Sequence, residues 1–326
     1  MERRLVGAID GDDVAFALIK DAGTGTDGPR IEEVRRSPTT AFPTFTDALQ
    51  DYIRAHGLST ESIRFGLAVA GVSRGDVITL PNCRWFVSVS GLRAFLRSDP
   101  LILNDFAATA WALPNVGSSQ LVRIGSRPVA PPRERGTYLI VGTGSGLGMA
   151  ILSIGRDGNV VVIESEGGHA SFAPQNADED ALLATLRRRF GHVSFERLLS
   201  RTGLENLYDA LAAEASRPAA APSPSSRIIA AAISGTDPLA VRAGRLYAGI
   251  LGAFVGNQVL TAGAWDGVFL VEPMLGEMVQ ILASGPFRSQ LAGKGRMARQ
   301  LEAVPTAWLD SRSANLAGAA AALAAS

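Results

Sequence analysis

Glu166 and His169 stand two glycines apart in ESEGGHASF, residues 164–172. With no side chains between them the backbone can turn sharply, and a carboxylate and an imidazole can point at one small polyol. A metal site would want a third ligand of the same kind nearby, and none is evident. An ordinary surface turn with an incidental histidine stays open. A second candidate is Asn104-Asp105, in the apolar run LILNDF, residues 101–106. A carboxylate at the carboxyl end of a buried strand stands where open α/β sheets bind ligands. Placed before AATAWAL, Asp105 would equally serve as a helix N-cap. In GTGSGLG, residues 142–148, glycines let backbone N–H groups converge on an anion, and the same residues describe a tight hairpin. The motif lacks the Lys-Ser/Thr of a P-loop. It also precedes the strand-like MAILSI, where a dinucleotide fold needs a helix, so both common nucleotide motifs are excluded. In FGHVSFERLLSRTGLENLYDAL, residues 190–211, Ser194 can cap a helix whose first turn carries Glu196. With His192 and Ser194 as turn residues, that is a complete structural explanation.

Near the amino end, Asp10-Gly11-Asp12-Asp13 places three carboxylates in four residues. They could grip a metal ion, repel a phosphate, or solvate a hairpin. The flanking runs predict that hairpin, with strands over 4–9 and 14–20. A third strand follows near Glu32–Pro38. The spacing of Phe45, Leu49 and Ile53 predicts a helix with one buried face. ESIRFGLAVAG reads as a strand covered on both faces. GDVITLPNCRWFVS is strand, turn, strand; SGLRAFLR is a short helix; LILNDF is a buried strand; ATAWALP opens a helix. SRPVAPPRERG, residues 126–136, interrupts the pattern and is expected at a crossing or edge of lobes. TYLIVGTGSGLGMAILSI reads strand, glycine turn, strand. The remainder is mainly helical: DEDALLATLRRRFG, SFERLLSRTGLENLYDALAAEA and RLYAGILGAFVGNQVLTAG. The Ala/Pro/Ser stretch SRPAAAPSPSS, residues 216–226, reads as an exposed, mobile loop. WDGVFLVEP is a buried strand and NLAGAAAALAAS a closing helix. Strand–glycine turn–strand thus occurs twice, near residues 10 and 143, as in a duplicated α/β lobe.

Composition bounds the possibilities. A chain of 326 residues is long for one core, so two lobes are expected. Zero formal net charge gives no general attraction to nucleic acid or anionic lipid. The single cysteine, Cys83, excludes an internal disulfide and a cysteine-built zinc site, which fits a reducing cytosol. The apolar run after MERR breaks at Asp10, too early for a signal peptide. No stretch of about 18 apolar residues free of charge predicts a membrane span.

Taken together, the Asn-Asp strand end, GTGSGLG, EGGHASFAP and GHVSFERLLSRTGLENLY resemble bacterial glucokinases in order and approximate spacing. These belong to the hexokinase branch of the actin-like, ribonuclease-H-fold ATPases. LPNCRW (80–85), GNQVL, GVFL, SGPFRSQLAGKGRM and the alanine-rich end extend the resemblance over nearly the whole chain. Related zinc-dependent sugar kinases need a cysteine cluster that this chain cannot supply. The resemblance implies an α/β, two-lobed ribonuclease H-like (actin-like ATPase) fold with a sugar cleft between the lobes. The small lobe would hold 1–108 plus about 305–326, and the large lobe about 109–304. Asp105 would be the general base on the 6-hydroxyl of a hexose, glucose foremost. Asn104, Glu166, His169 and Glu196 would hold the other hydroxyls, and Asn82 would line the site. Gly142, Thr143, Gly144, Ser145 and Gly146, with Asp10 and Gly11, would face ATP, and Asp10 would serve Mg2+. No zinc, nucleic acid or membrane is implied; family members are often homodimers.

The chain departs from that family twice. The family opens on an aspartate, two glycines and a threonine, usually followed by an arginine; the aligned positions here are Ala8, Asp10, Gly11 and Asp12, with Ala15 for the arginine. Asp10 faces the same side of the strand as Ala8, displaced by roughly 6–7 Å. A bare carboxylate about 4 Å from a phosphate charge costs roughly 4 kcal/mol at an effective dielectric of 20. Later, Glu272-Pro273 replaces a pair of glycines that admits the adenosine. Two functions follow: an ATP-dependent glucokinase with unusual loops, or a catalytically impaired relative that binds sugar as a sensor or regulator.

Overall fold

A computed structural model describes residues 3–20, 28–71, 75–80, 83–215, 223–311 and 314–326, without the side chains of Asp10 and Ser62. The chain divides into two compact units, Met1–Val116 with Ser311–Ser326, and Gly117–Asp310.

In the first unit, β1 (Arg3–Asp10) turns into β2 (Asp13–Lys20), followed by β3 (Arg30–Pro38), α1 (Phe45–Ala55) and β4 (Ile63–Val69). Then come β5 (Val77–Thr79), β6 (Phe86–Ser88), α2 (Val89–Leu96), β7 (Leu101–Asn104) and α3 (Asp105–Ala112). The sheet order is β3-β2-β1-β4-β7. The hairpins pair antiparallel, whereas β1–β4 and β4–β7 are parallel. Alternation along β1 serves two cores. Leu5 and Ile9 face Phe45, Leu49, Tyr52 and Ile53 of α1. Val6 and Ala8 face α3 and the C-terminal helix, Ala314–Ala325.

That second core is built from small residues, so its helices come close. A Cβ on Gly318 would lie 1.6 Å from the Ala108 carbonyl oxygen, and Thr109 Oγ1 is 3.0 Å from Asn315 Oδ1. The alanine-rich end, weak in sequence pattern, therefore clamps α3 in place. The expected helix at Phe45 also carries its own start signal. Thr44 Oγ1 accepts from Asp47 N–H while the Asp47 carboxylate accepts from Thr44 N–H, a capping box.

In the second unit, β8 (Leu121–Arg123), β9 (Gly136–Thr143), β10 (Leu147–Ile154) and β11 (Val160–Ser165) precede α4 (Ala177–Phe190), α5 (Arg201–Glu214), α6 (Ser225–Ser234) and α7 (Pro238–Ala262). β12 (Gly267–Val271), α8 (Pro273–Glu277), α9 (Val279–Ala283), α10 (Pro286–Ala292), α11 (Ala298–Glu302) and β13 (Thr306–Leu309) follow. The sheet order is β11-β10-β9-β12-β13-β8. The long helix α7 is the spine of this core. Gly252 and Gly256 let it meet α10, since Cβ atoms there would lie 2.0 Å from Phe287 O and 2.4 Å from Leu291 O. Among the described residues α7 is the one helix long and apolar enough to cross a membrane, but 72% of its apolar window is buried inside the protein.

Several expectations need correction. SRPVAPPRERG lies inside the second unit, because β8 already pairs with β13 before that stretch begins. The first crossing falls at 116/117. The second falls at 310/311, since Thr306–Leu309 pairs with β12 and not with the first sheet. The helix expected from Ser194 starts at Arg201; Phe195–Arg197 is a single 3₁₀ turn, and Ser200 is the cap, accepting from Gly203 N–H at 2.9 Å. Most of the loop expected at 216–226 falls outside the described residues, and α6 begins at Ser225.

Candidate functional site

The first unit presents Asn104 and Asp105 where parallel strand β7 runs into α3. Asn104, not Asp105, is the N-cap. Its Oδ1 accepts from Phe106 N–H at 2.8 Å and Ala107 N–H at 3.4 Å, and its Nδ2 donates to the Gly71 carbonyl at 3.2 Å. Both ends of the amide are thus bound to backbone, tying β7 to the chain leaving β4. Asp105 is the first helical residue, half-buried, with Oδ1 also 2.9 Å from Phe106 N. The helix dipole favours a carboxylate there. Asn82 lies outside the described residues.

In the β1–β2 hairpin, Asp10 pairs with Asp13 and Gly11 has φ +59°, a positive value at the first central position alone, as in a II′ turn. Gly11, Asp12 and Asp13 are exposed, and Asp12 O accepts from Thr39 N–H at 2.7 Å. Ala8 and Ala15 are cross-strand partners, both buried in the alanine-rich core, so neither position carries the charge that the resemblance leads one to expect. Among the described residues no group of three or more His, Cys, Asp or Glu could hold a metal ion.

The second unit brings Glu166, His169 and Glu196 together. His169 Nδ1 lies 3.8 Å from Glu196 Oε1, and its Nε2 lies 3.8 Å from Glu166 Oε2. Backbone pairing sets this up: Phe195 N donates to Ala170 O and Phe172 N to Val193 O. Ser171 and His192 join across the same seam at 3.2 Å, so His192 is a turn residue. The two glycines between Glu166 and His169 have a packing reason that the sequence did not reveal. Cβ atoms would lie 2.5 Å from Met149 Sδ at Gly167 and 2.1 Å from Leu147 O at Gly168. His169 and Glu166 are more than half exposed and Glu196 is 30% exposed. At 3.8 Å these groups do not satisfy one another. A hydroxyl oxygen can sit at about 2.8 Å from both members of either pair, which suits a polyol with adjacent donor–acceptor groups.

The same Glu196 also holds the glycine turn. Its Oε2 accepts from Leu147 N–H at 3.1 Å and lies 2.5 Å from where a Cβ on Gly146 would be. The turn is completed by Gly144 N–H to Gly146 O, 2.9 Å, and Arg201 N–H to Gly144 O, 2.9 Å. Only part of the expected phosphate loop is accessible. Gly142 and Thr143 are buried. The Thr143 hydroxyl accepts from Tyr247 OH at 2.7 Å and abuts Met274 Sδ. Burial holds the Tyr247 phenol well above its usual pKa, so it remains a donor. Gly144, Ser145 and Gly146 reach the surface, and the N–H groups of Ser145 and Gly146 donate to no group among the described residues. The turn can therefore receive an anion through two amides, not through the Thr143 side chain.

Glu272 follows β12 with φ +82° and ψ 140°, a conformation that side-chain-bearing residues rarely adopt. The Glu272 backbone keeps a glycine-like shape where the resemblance leads one to expect glycine. Its Oε2 lies 3.0 Å from where a Cβ on Gly144 would be, and Trp308 Nε1 donates to its carbonyl at 3.1 Å. A cavity of about 590 Å3 elsewhere in this unit is lined by Glu179, Glu214, Arg242 and Gln290 and includes none of the expected site residues.

A carboxylate–imidazole–carboxylate row thus stands beside a glycine turn on a six-stranded mixed sheet. Residues 5–326 match the glucokinase family. The chain belongs to the glucokinase family. Chromobacterium violaceum glucokinase is 34% identical over 322 residues, 98% of this chain and 89% of that protein. The bifunctional protein glk of Burkholderia orbicola is 36% identical over 304 residues, 93% of this chain. The chain spans about half, 46%, of that bifunctional protein's length. The crystal structure of a glucokinase from an Antarctic psychrotroph is 30% identical, with a TM-score of 0.86 over the full length of both chains. The glucokinase relationship fixes the fold as the actin-like ATPase type.

Proposed function

We propose that this chain is a sugar kinase that transfers a phosphoryl group from ATP to the 6-hydroxyl of glucose. The observation that carries the reading is the convergence of Glu166, His169 and Glu196, with both imidazole nitrogens 3.8 Å from a carboxylate. Two carboxylates and an imidazole can pair with several hydroxyls of one hexose. Each hydroxyl left unpaired in a closed site would cost about 1–3 kcal/mol. Asp105 is the general base. It takes the 6-hydroxyl proton as that oxygen forms its bond to the terminal phosphorus and the bond to the donor's bridging oxygen breaks, releasing ADP. Asn104 acts mainly by fixing the end of β7 and the start of α3, from which Asp105 projects.

The fit to the donor is divided. The amides of Ser145 and Gly146 suit a phosphate. Ala8 supplies no carboxylate, and Glu272 brings a negative charge to Gly144. A magnesium ion would arrive with the donor's phosphates, neutralising their charge, and not in a cage built by the protein. Those same two features favour a second reading, a sugar-binding sensor with little turnover. The test is calorimetry of glucose and of Mg2+–ATP beside a coupled phosphorylation assay. Glucose heat without turnover would reject the kinase.

A further inference from the structure

Thr143 and Tyr247 form a polar pair inside the apolar core of the second unit, and the kinase reading gives neither a task. Leu139, Val141 and Thr143 alternate onto one face of β9, the face that meets Tyr247 of α7. Both hydroxyl-bearing side chains are fully buried. The Tyr247 hydroxyl donates to Thr143 Oγ1 at 2.7 Å, and Thr143 Oγ1 in turn lies 3.9 Å from Met274 Sδ at the start of α8. One threonine hydroxyl therefore joins α7, the end of β9 and α8. Valine and phenylalanine would fill the same space with no polar group to satisfy, so stability alone does not call for the pair. The pair fixes the residue that enters the glycine turn. Gly144-Ser145-Gly146 carries one short side chain, and glycine backbones reorient freely. The exit of the turn is held by Glu196 on Leu147 N–H at 3.1 Å, and its middle by Arg201 N–H on Gly144 O at 2.9 Å. Its entrance is held by Tyr247 through Thr143 Oγ1.

We propose that Tyr247 is a positioning residue, which through the Thr143 hydroxyl sets the direction in which the Ser145 and Gly146 amides meet the phosphoryl donor. This deepens, and rests on, the reading of the chain as a kinase whose donor reaches that turn. Fully buried, Tyr247 acts from the core, one hydrogen bond behind the turn. Burial also holds its phenol protonated, so it stays a donor. The two side-chain clamps have separate duties. Glu196 also faces His169 and is shared with the sugar-binding row. The one hydrogen bond of the Tyr247 side chain among the described residues goes to Thr143. Loss of the Tyr247 hydroxyl therefore weakens the donor and leaves the sugar alone.

The experiment is calorimetric titration of Mg2+–ATP, and separately of glucose, into the wild-type chain, Tyr247→Phe, Thr143→Val and the double variant, with thermal melts on the same samples. Each single change deletes one hydroxyl at nearly constant shape. Each single variant should bind Mg2+–ATP at least about threefold more weakly than wild type, with glucose affinity within about twofold. Both singles should melt lower, because a buried hydroxyl loses its partner; the double variant removes both groups and should recover most of that loss. Mg2+–ATP affinity should stay weakened in the double variant, which a purely structural pair would not do. If one single variant does not fold, the other and the double variant decide. Mg2+–ATP affinity unchanged in the single variants, restored in the double variant along with its melting temperature, weakened in step with glucose affinity, or undetectable in wild type would each overturn the proposal. The kinase reading fails by a different result, a wild-type chain that binds both Mg2+–ATP and glucose but forms no glucose 6-phosphate.

Discussion

Replacing Gly146 by alanine should move Glu196 without moving the backbone. The added Cβ would lie 2.5 Å from Glu196 Oε2, the far end of a flexible side chain. Ordinary contact is about 3.3 Å, so the carboxylate must retreat by about 0.8 Å. Its hydrogen bond to Leu147 N–H, now 3.1 Å, then lengthens past useful range. A hydrogen bond to a charged group contributes about 1.5–3 kcal/mol, which is about a 10- to 150-fold bias toward the held position. If Glu196 pairs with a hexose hydroxyl, Gly146→Ala should weaken glucose binding by about tenfold or more, read by calorimetry. The melting temperature should fall only a few degrees, because the group that yields is a side-chain tip. Ser145→Ala, at an exposed position in the same turn, is the control and should bind glucose as wild type does. Unchanged glucose affinity in Gly146→Ala, with Glu196 seen displaced in its crystal structure, would refute the sugar role of Glu196.

Other consequences follow from packing and titration. Gly318→Ala sets a Cβ 1.6 Å from Ala108 O, forcing α3 and the C-terminal helix apart by about 1.8 Å. Denaturant melts should show a loss of at least about 3 kcal/mol, and turnover should fall through displacement of Asp105. Burial, with Glu33 adding to it, raises the Tyr52 phenol to about 12, and burial raises Tyr247 as well. Both phenols keep their protons in the folded state after the unfolded chain would lose them. Their stabilising contribution is therefore complete below about pH 10 and drains away above it, at about 1.4 kcal/mol per pH unit for each group. Tyr52→Phe should flatten that alkaline loss in pH-dependent melts; an equally steep loss would assign it elsewhere.

The regular parts of the molecule were readable because each element carries its own period or punctuation. The β1–β2 hairpin, the apolar face of α1, and the strands on either side of GTGSGLG stand where alternation and glycine place them. The boundaries between units were displaced because composition does not report pairing: Thr306–Leu309 is a core strand of the second sheet, and nothing in its four residues names its partner. The Ser194 cap failed because a 3₁₀ turn and a helix start share the same local chemistry, and the backbone seam from Ala170 to Phe195 decides between them. Motif order brought Glu166, His169 and Glu196 into one list, and the structure brings them into one row. The contact of Glu196 with Leu147 and the turn of Glu272 toward Gly144 were beyond reach, since both join segments that lie far apart in the chain. The one visible signal was a glutamate before proline where glycine was expected.

The most direct test of Asp105 as the general base for phosphoryl transfer from ATP is glucose 6-phosphate formation, measured for the wild-type chain and Asp105→Asn, with glucose affinity measured on the same samples. A general base accounts for about 10²–10⁴-fold of rate, so the variant should lose that much turnover while glucose affinity stays within about tenfold. Glucose bound by both proteins with no product from either, or turnover that survives the substitution, would contradict the account.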